Sequence, residues 1–340
     1  MELYAGMDLH SRNTYVGILE KISNKRVYKK RLINDLGVIL DVLEPFRGSL
    51  QGIAVESTYN WYWLVDGLMD AEYRCVHLAN PSAMKQYEGL KHADDRHDAF
   101  WLAHMLSLGI LPEGYIYPKE ERPVRDLLRK RSFLVRQRTA QILSVQALIE
   151  RQTGTKVSGK EVKKLTEQDL ESILKEEHLV LSAHASVSSI GFLTHHIKRI
   201  ETAVRGKIKI REPFKYLLTV PGIGDILGLT IILEVGDIGR FPKVGNFSSY
   251  CRCVSSNRIS NGKSKGKGNS KNGNKYLAWA FVEAVHFARR NSERLKRYYQ
   301  RKEAKRNQIV AIKASSNKLA RACYYIMRNQ VPFKEDALFC

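Results

Sequence analysis

The order of strand-like and helical segments constrains the first third of this chain more than any other feature. Three strand-like runs separated by tight polar turns come first, ELYAGMDLH, TYVGILE and KRVYKKRLI. A helical stretch closed by Pro45 follows, and then a buried strand LQGIAVEST, an aromatic helix, a further strand and the helix DRHDAFWLAHMLSL. The order βββαβαβα, a meander followed by crossover helices, predicts an α/β sheet of the RNase H-like type.

Acidic residues fall where such a sheet would bring them together. Asp8 ends the first strand and Glu56 ends the fourth, and these strands would be neighbours in the sheet. Asp95 and Asp98 are three residues apart, so they share a face of the last helix. Asp94 could replace Asp95 if the helix began one residue differently, but it would point about 100° away.

Four converging carboxylates repel one another unless cations lie between them. Hard oxygen ligands select Mg²⁺ or Mn²⁺, and two such ions about 4 Å apart can polarise a phosphodiester and activate a nucleophile. The acidic residues therefore predict metal-assisted phosphoryl transfer with two ions. Taken singly, each of them is more often a turn, cap or solvated residue, so the prediction depends on their joint order.

The net charge indicates a polyanionic partner. The 340 residues include 56 Lys and Arg against 35 Asp and Glu, which gives a formal charge of +21. Nucleic acid is the first candidate and a membrane surface the second, and no apolar run approaches the roughly 20 residues that span a bilayer. We expect a cytoplasmic, nucleoid-associated protein with no membrane contact. Five cysteines without CxxC spacing are expected to be reduced and free of metal.

The middle third is predicted to be a helical coiled-coil connector. Leu128, Val135, Ile142 and Ile149 recur by sevens, which predicts a long helix that packs against another helix. Basic residues lie between the apolar ones, and Arg129, Lys130 and Arg136 are predicted to contact nucleic acid, although a solvated charged face is the commoner outcome. Oligomerisation through this arm is a hypothesis.

The last third contains a turn and a basic interval that suit nucleic-acid binding. The Pro-Gly-Ile-Gly turn at 221–224 lies between two helices, as in a helix-hairpin-helix element, where Gly222 and Gly224 would let the backbone approach a phosphate. A purely structural turn between helices is the alternative. No acidic residue occurs between Asp237 and Glu283. The basic residues predicted to contact nucleic acid in that interval are Arg252, Arg258, Lys263, Lys265, Lys267, Lys271 and Lys275.

Taken together, these motifs resemble the transposases of the insertion-sequence-110 family, DEDD-type recombinases guided by a bridge RNA. The resemblance covers essentially the whole chain and is carried by Asp8, Glu56, DDRHDA at 94–99, VPGIG at 220–224 and the ISNGK stretch from 259. It implies a RuvC-like metal-binding domain at 1–118 and a helical coiled-coil connector at 119–207. It also implies a mainly α-helical C-terminal transposase domain at 208–340 with a catalytic serine.

The resemblance also implies roles for individual residues. Asp8, Glu56, Asp95 and Asp98 would be the catalytic, metal-binding tetrad, and Ser260 the nucleophile. Asn261 departs from the family's commoner glycine, and Ser255 and Ser256 are the nearest rivals for the serine's role. The implied partners are donor and target DNA, a bridge RNA and further copies of the chain in a dimer or tetramer, with Ser260 meeting the tetrad of another protomer.

Two other readings of the residues remain open. A metal-dependent nuclease or junction resolvase would use water as the nucleophile and the basic loop only for binding. A non-catalytic nucleic-acid-binding protein would use the acidic residues only as caps and turn residues.

Overall fold

The computed structural model describes residues 1–84, 95–207, 212–254, 257–267 and 272–338. The chain divides into two compact units, Met1–Lys119 and Glu120–Cys340.

A five-stranded mixed sheet forms the centre of the N-terminal unit. Its strands are β1 (Leu3–Leu9), β2 (Asn13–Glu20), β3 (Arg26–Ile33), β4 (Leu50–Glu56) and β5 (Val76–Ala79), in the spatial order β3-β2-β1-β4-β5. The β1-β2 and β2-β3 pairs are antiparallel, whereas the β1-β4 and β4-β5 pairs are parallel. The predicted meander and the predicted contact between the first and fourth strands are therefore confirmed.

Helices cover both faces of this sheet. The helices of the unit are α1 (Leu36–Leu43), α2 (Tyr62–Asp70), α3 (Pro81–Met84) and α4 (Asp95–Ser107). Because side chains alternate along a strand, Ala5 and Met7 of β1 pack in one core with α1 and α2. The opposite face packs against α4, where Ala54 of β4 lies in a second core with Leu102 and Met105.

Two long helices form a hairpin in the C-terminal unit. They are α5 (Arg122–Thr153) and α8 (Glu177–Lys207), with the short helices α6 (Gly159–Val162) and α7 (Glu167–Leu174) between them. Capping boxes at Ser158 and Thr166 begin the two short helices. Ile142 and Ile149 of the predicted stripe are buried in a core that includes Ile190 of α8. The helix that packs against the stripe thus belongs to the same chain.

The rest of the C-terminal unit is a helical bundle with one small β-hairpin. Its helices are α9 (Glu212–Leu217), α10 (Asp225–Val235), α11 (Val244–Tyr250), α12 (Lys275–Asn291), α13 (Glu293–Lys305), α14 (Gln308–Asn329) and α15 (Glu335–Leu338). The strands β6 (Asn257–Ser260) and β7 (Lys263–Lys267) form the hairpin. Phe247, Phe281 and Tyr299 are fully buried in the core of this bundle.

Four of the five cysteines lie in the part of the chain that the structure describes. Cys75, Cys251, Cys253 and Cys323 are free thiols, and all but Cys75 are buried. Over the described ranges, none of the helices has the length and apolar character needed to cross a bilayer.

Candidate functional site

Asp8 and Glu56 lie side by side at the carboxyl edge of the sheet. Met7 of β1 pairs with Val55 of β4, and Asp8 and Glu56 are the next residues of these two parallel strands. Neighbouring strands are about 4.8 Å apart, so the two acidic residues start from adjacent backbone positions. Asp8 is only 3% exposed. We name this end of the sheet, with Asp8 and Glu56, the acidic edge.

Both acidic residues belong to the face of the sheet that α4 covers. A Cβ added to Gly6 would overlap the carbonyl oxygen of Ala99, so the backbones of β1 and α4 approach there without a side chain between them. A Cβ added to Gly52 of β4 would lie 3.0 Å from Leu106. Asp8 follows Gly6 by two residues and Glu56 follows Gly52 by four, and a strand repeats its facing every two residues.

The direction of α4 brings its first turn to the acidic edge. Ala99 lies at the level of Gly6, whereas Leu106 lies at the level of Gly52, which pairs with Tyr4. The helix therefore runs opposite to β1, and its N-terminal end points to the carboxyl ends of the strands. Asp98 belongs to this first turn and is half-buried. Asp95 is the first residue of α4, and its side chain lies outside the described residues, as does all of Asp94.

His10 is a residue of this edge that the sequence analysis did not select. Its Nε2 lies 3.0 Å from Oδ2 of Asp8. The carbonyl oxygen of His10 accepts hydrogen bonds from the side-chain amides of Asn34 and Asn60, at 2.9 and 3.2 Å. The second bond ties the loop after β1 to the loop after β4. A histidine two residues beyond a strand-end aspartate was the available sequence signal.

The donor atoms at the acidic edge are of the type that hard cations take. Carboxylate oxygens suit Mg²⁺ and Mn²⁺, and Asp8, Glu56 and Asp98 supply only such oxygens. In the part of the chain that the structure describes, no three His, Cys, Asp or Glu side chains are grouped closely enough to hold a metal ion. In donor chemistry the residues fit the predicted ion, and the fourth carboxylate, that of Asp95, is outside this search.

Part of the basic interval, whose composition is typical of a loop, forms a β-hairpin. Strands β6 and β7 pair antiparallel, with Ser260 opposite Lys263 and Ile259 opposite Ser264. Asn261 and Gly262 form the turn with φ of 51° and 70°, and an Asn-Gly pair with two positive φ angles is typical of a type I′ turn. We name residues 257–267 the serine hairpin.

The strand register puts position 260 on the same face of the hairpin as two lysine positions. Because facing alternates along each strand, positions 260, 263 and 265 share one face of the hairpin, whereas 259 and 264 share the other. Lys263 and Lys265 are exposed. The side chain of Ser260 lies outside the described residues, and both rival serines, Ser255 and Ser256, lie outside them entirely.

The chain segments at the base of the serine hairpin are clamped together. Arg252 donates from Nε and Nη2 to the carbonyl oxygen of Gly273, at 3.2 and 2.9 Å. The side chain of Asn274 accepts from the N–H groups of Tyr276 and Leu277, and so caps α12. Arg252 is predicted from the sequence to contact nucleic acid, and its guanidinium is hydrogen-bonded to the protein's own backbone.

A buried carboxylate connects this base to α5. Glu234 of α10 is 2% exposed and accepts a hydrogen bond of 2.7 Å from Asn274 Nδ2. It also accepts from Arg125 at 3.2 Å and from Arg129 at 2.6 and 2.8 Å. Burial alone would raise the pKa of Glu234, but the two guanidinium groups and Asn274 hold that pKa below its usual value. Arg129, also selected for nucleic acid, thus has a structural partner.

The Pro-Gly-Ile-Gly turn connects α9 and α10 and packs against α12. Gly222 has φ of 86°, and a Cβ there would overlap the backbone of Ala284 and Ala288. Gly222 therefore has a packing reason to be glycine. Gly224 precedes α10 as its N-cap, with open space where a Cβ would be. The carboxylate of Asp225, in the first turn of α10, lies 3.1 Å from Nε of Arg205.

The other residues selected for nucleic acid have varied positions. Lys130, Arg136 and Lys275 are exposed on α5 and α12. Arg258 and Lys267 lie on the strands of the serine hairpin, with side chains outside the described residues, and Lys271 falls wholly outside them.

Two family models match separate parts of the sequence. Residues 5–153 match the model DEDD_Tnp_IS110, described as a transposase. Residues 214–300 match a model described as the transposase of the IS116/IS110/IS902 family. The first match includes the acidic edge and α5, and the second includes α10, the serine hairpin and α12. The DEDD transposase domain is RuvC-like, in agreement with the mixed sheet.

Known transposases are similar to this chain at low identity. The transposase for insertion sequence element IS1111A of Coxiella burnetii is 25% identical over 261 residues, which are 75% of this chain and 69% of that protein. A probable family 20 transposase of Pseudomonas aeruginosa is 24% identical over 270 residues, or 76% and 79% of the two chains. The transposase for IS1328 of Yersinia enterocolitica is 26% identical over 149 residues, or 43% and 45%.

The matched models and relatives all describe one class of protein, the transposases. Within that class, both matched regions carry domains of the same family, and the chain is a member of the IS110 family of insertion-sequence transposases.

Proposed function

We propose that the protein exchanges DNA strands by serine attack on a phosphodiester, with Ser260 as the nucleophile and Asp8, Glu56, Asp95 and Asp98 as ligands of two divalent cations. The observation that supports this proposal is the acidic edge, where Asp8 and Glu56 follow two adjacent parallel strands, on the face of the sheet that α4 covers. Membership of a transposase family implies DNA cleavage and a DNA substrate, which supports the same chemistry.

The reaction conserves the number of phosphodiester bonds. The Oγ of Ser260 forms a bond to phosphorus, the bond from phosphorus to the 3′ oxygen breaks, and the serine's proton passes to the departing 3′-hydroxyl. The product is a phosphoserine ester, which the 3′-hydroxyl of another strand can attack in the reverse sense to release the serine. The bound cations would lower the cost of negative charge on the phosphate oxygens and the attacking oxygen.

The serine hairpin supports the choice of Ser260. The turn at Asn261 and Gly262 fixes the residue before it, so the serine is held by strand pairing rather than by a flexible tether. Lys263 and Lys265 have positions on the same face and can balance the charge of the phosphate. The hairpin segment has no carboxylate, so the acidic residues come from the N-terminal unit, and we propose that another protomer of a dimer or tetramer supplies them.

The proposal includes a bridge RNA that selects donor and target DNA. The formal charge of +21 supports polyanionic partners of this kind, as do the exposed lysines of the serine hairpin. Guidance by RNA would leave base recognition to pairing and phosphate contact to the protein.

A covalent adduct tests the serine directly. Purified protein is incubated with the non-coding RNA that flanks its gene, labelled donor and target DNA and Mg²⁺, and the mixture is resolved under denaturing conditions. Ser260→Ala should lose both the protein–DNA adduct and the recombined product. Ser264→Ala is the matched control, because this serine belongs to the same hairpin but to its opposite face, and it should retain both.

Other outcomes of the same experiment would contradict the proposal. Cleaved DNA without any adduct in the wild-type protein would indicate water as the nucleophile, as in a nuclease or junction resolvase. Recombination at the same level without RNA would remove the bridge RNA from the proposal, and binding without any cleavage would favour a non-catalytic protein.

A further inference from the structure

A cavity of about 460 Å³ lies in the C-terminal unit, and none of its described lining residues belongs to the serine hairpin. It is bounded by α13, by α14 and by the segment between α14 and α15. The residues that give it its chemistry are three aromatic residues and three basic ones, Tyr298, Tyr325, Phe333, Lys318, Arg321 and Lys334. Its volume falls in the range of about 300–1,000 Å³ that is usual for small-ligand sites.

The cavity is positively charged. Among its described lining residues there is no Asp or Glu. The two acidic residues of α15 contact other groups, since Glu335 accepts a hydrogen bond from Ser292 and Asp336 accepts one from Arg294. Three cations around one opening without a lining carboxylate favour an anionic ligand.

An exposed aromatic ring stands at the same opening. Tyr325 is 47% exposed. Its ring is perpendicular to that of Tyr324, with the centroids 5.2 Å apart. Tyr324 is buried, and its hydroxyl donates to the carbonyl oxygen of Phe241 at 3.0 Å. Tyr325 thus rests on a fixed neighbour while much of its own surface faces solvent, as a stacking platform requires.

A row of arginines continues along α13 from this cavity. Arg294, Arg297 and Arg301 line a second opening together with Gln300, and because Arg294 is paired with Asp336, the cations offered to a ligand there are Arg297 and Arg301. These residues belong to the same helix as Tyr298 and recur at helical spacing, so they form one basic strip. A cationic strip beside aromatic rings is the combination that binds single-stranded nucleic acid, because the cations follow the phosphates and the rings stack on the bases.

We propose that this cavity binds an unpaired nucleotide of a single strand, with its base on Tyr325 and its phosphates on Arg321, Lys334 and the arginine strip of α13. Paired bases are already stacked in their duplex and could not enter. The inference deepens the proposed function and rests on it for the kind of partner, but it uses neither Ser260 nor the acidic edge. Binding alone can therefore test it.

The test compares single strands with duplexes. Affinity is measured by fluorescence anisotropy with labelled, unstructured oligonucleotides of about 12 nucleotides, as DNA and as RNA of the same sequence, and with the corresponding DNA duplex. Tyr325→Ala should weaken single-strand binding about fivefold or more, since stacking of one base on an aromatic ring is lost. Tyr325→Phe keeps the ring and should bind as the wild type does. Duplex binding should be unchanged in both variants.

Two further variants separate the cavity from the rest of the surface. Tyr59→Ala removes an aromatic residue that is 84% exposed in the N-terminal unit, and it should leave single-strand binding unchanged. Arg321→Gln should weaken the single strands and lower the slope of log affinity against log salt by about one. A thermal melt of each variant confirms that the chain is folded.

The outcomes distinguish this inference from the proposed function. A loss in Tyr325→Ala with DNA, with RNA or with both supports the inference and identifies the strand that the cavity takes. Unchanged affinity for both single strands, or equal loss for single strands and duplex, overturns it. If Ser260→Ala loses the covalent adduct while Tyr325→Ala binds normally, the proposed function stands and the inference falls. If the wild-type protein forms no adduct while Tyr325→Ala weakens single-strand binding, the inference stands and the proposed function falls.

Discussion

The imidazole of His10 lies 3.0 Å from the carboxylate of Asp8, between Nε2 and Oδ2, at the carboxyl end of the first strand. Asp8 is almost wholly buried, whereas the His10 side chain is 41% exposed. The imidazole therefore occupies a carboxylate oxygen with which Asp8 would bind a cation. The acidic edge therefore contains an internal competitor for its proposed metal.

His10→Ala should lower the Mn²⁺ concentration needed for half-maximal binding. A half-exposed ion pair is worth up to about 1 kcal/mol, so we expect a shift of up to about fivefold. Calorimetric titration with Mn²⁺ measures it, and a variant that needed more metal than the wild type would show that His10 assists binding instead.

Asp8→Asn should abolish strand cleavage and leave DNA binding intact. Loss of one pre-organised charge at a reacting centre costs about a hundredfold or more in rate. Asp41→Asn is the matched control, because Asp41 is exposed on α1 of the same unit, and its activity should be that of the wild type. Cleavage is measured on labelled donor DNA with Mg²⁺. Normal cleavage by Asp8→Asn would remove this residue from the proposed metal site.

The turn of the serine hairpin should tolerate Asn261→Gly but not Gly262→Val. Glycine adopts positive φ readily, whereas a β-branched residue at φ of 70° is strained. We expect near wild-type recombination for the first variant and a loss of about tenfold or more for the second. Gly245→Ala in α11 is the control, since a Cβ there has open space. Equal activity of the two turn variants would mean that strand pairing does not position the serine.

Glu234→Gln should destabilise the C-terminal unit by about 3–5 kcal/mol, because the buried guanidinium of Arg125 and the partly buried one of Arg129 lose their charged partner. The pKa of Glu234 is depressed in the folded protein, so the stabilisation is fully present above the unfolded pKa of about 4.3 and is lost as the pH falls through the lower folded pKa. Urea unfolding at neutral and acidic pH measures both effects.

The control for Glu234 is an exposed ion pair. Glu293 of α13 lies 3.1 Å from Lys296 and is largely exposed, so Glu293→Gln should change the free energy of unfolding by less than about 1 kcal/mol. Equal losses of unfolding free energy in the two variants would indicate that burial of the Glu234 network adds nothing to stability.

Alkylation of the native protein should be fast at Cys75 and slow at the three buried thiols. Burial raises the pKa of Cys253 to about 12 and that of Cys251 well above its usual value. At about pH 8 these two groups remain protonated thiols, and only the thiolate reacts quickly. Mass spectrometry after brief iodoacetamide treatment reads the labels. Rapid labelling of Cys251 or Cys253 would mean that the bundle opens readily.

The N-terminal sheet was predictable because the sequence patterns that specify it lie within short segments of the chain. Strand alternation, tight turns and the order of elements determine which strands pair, and the predicted neighbourhood of Asp8 and Glu56 followed from that order. His10 was not selected as a site residue, because a histidine after a strand is usually a surface residue. The facing of the acidic edge toward α4 depends on close approaches such as that of Gly6 to Ala99, which no sequence pattern specifies.

Long-range partners explain what was not predicted in the C-terminal unit. Arg129 and Arg252 were selected for their charge, because nothing near them in sequence reveals their contacts with Glu234 and with the carbonyl group of Gly273. The hairpin at 257–267 was not predicted, because its strands have few apolar residues and resemble a flexible linker in composition. Asn261-Gly262 was the available turn signal. Oligomerisation and the division of the second unit at residue 207 stay predictions.

The carboxylate of Glu234 has a mechanical consequence. It holds Arg125 and Arg129 of α5 on one side and Asn274, where the serine hairpin rejoins the bundle, on the other. Because these contacts are short and at least partly buried, a movement on one side of Glu234 is passed on to the other side. A nucleic acid that displaced the long arm formed by α5 and α8 would displace the base of the serine hairpin with it, so these four side chains would help to orient the hairpin.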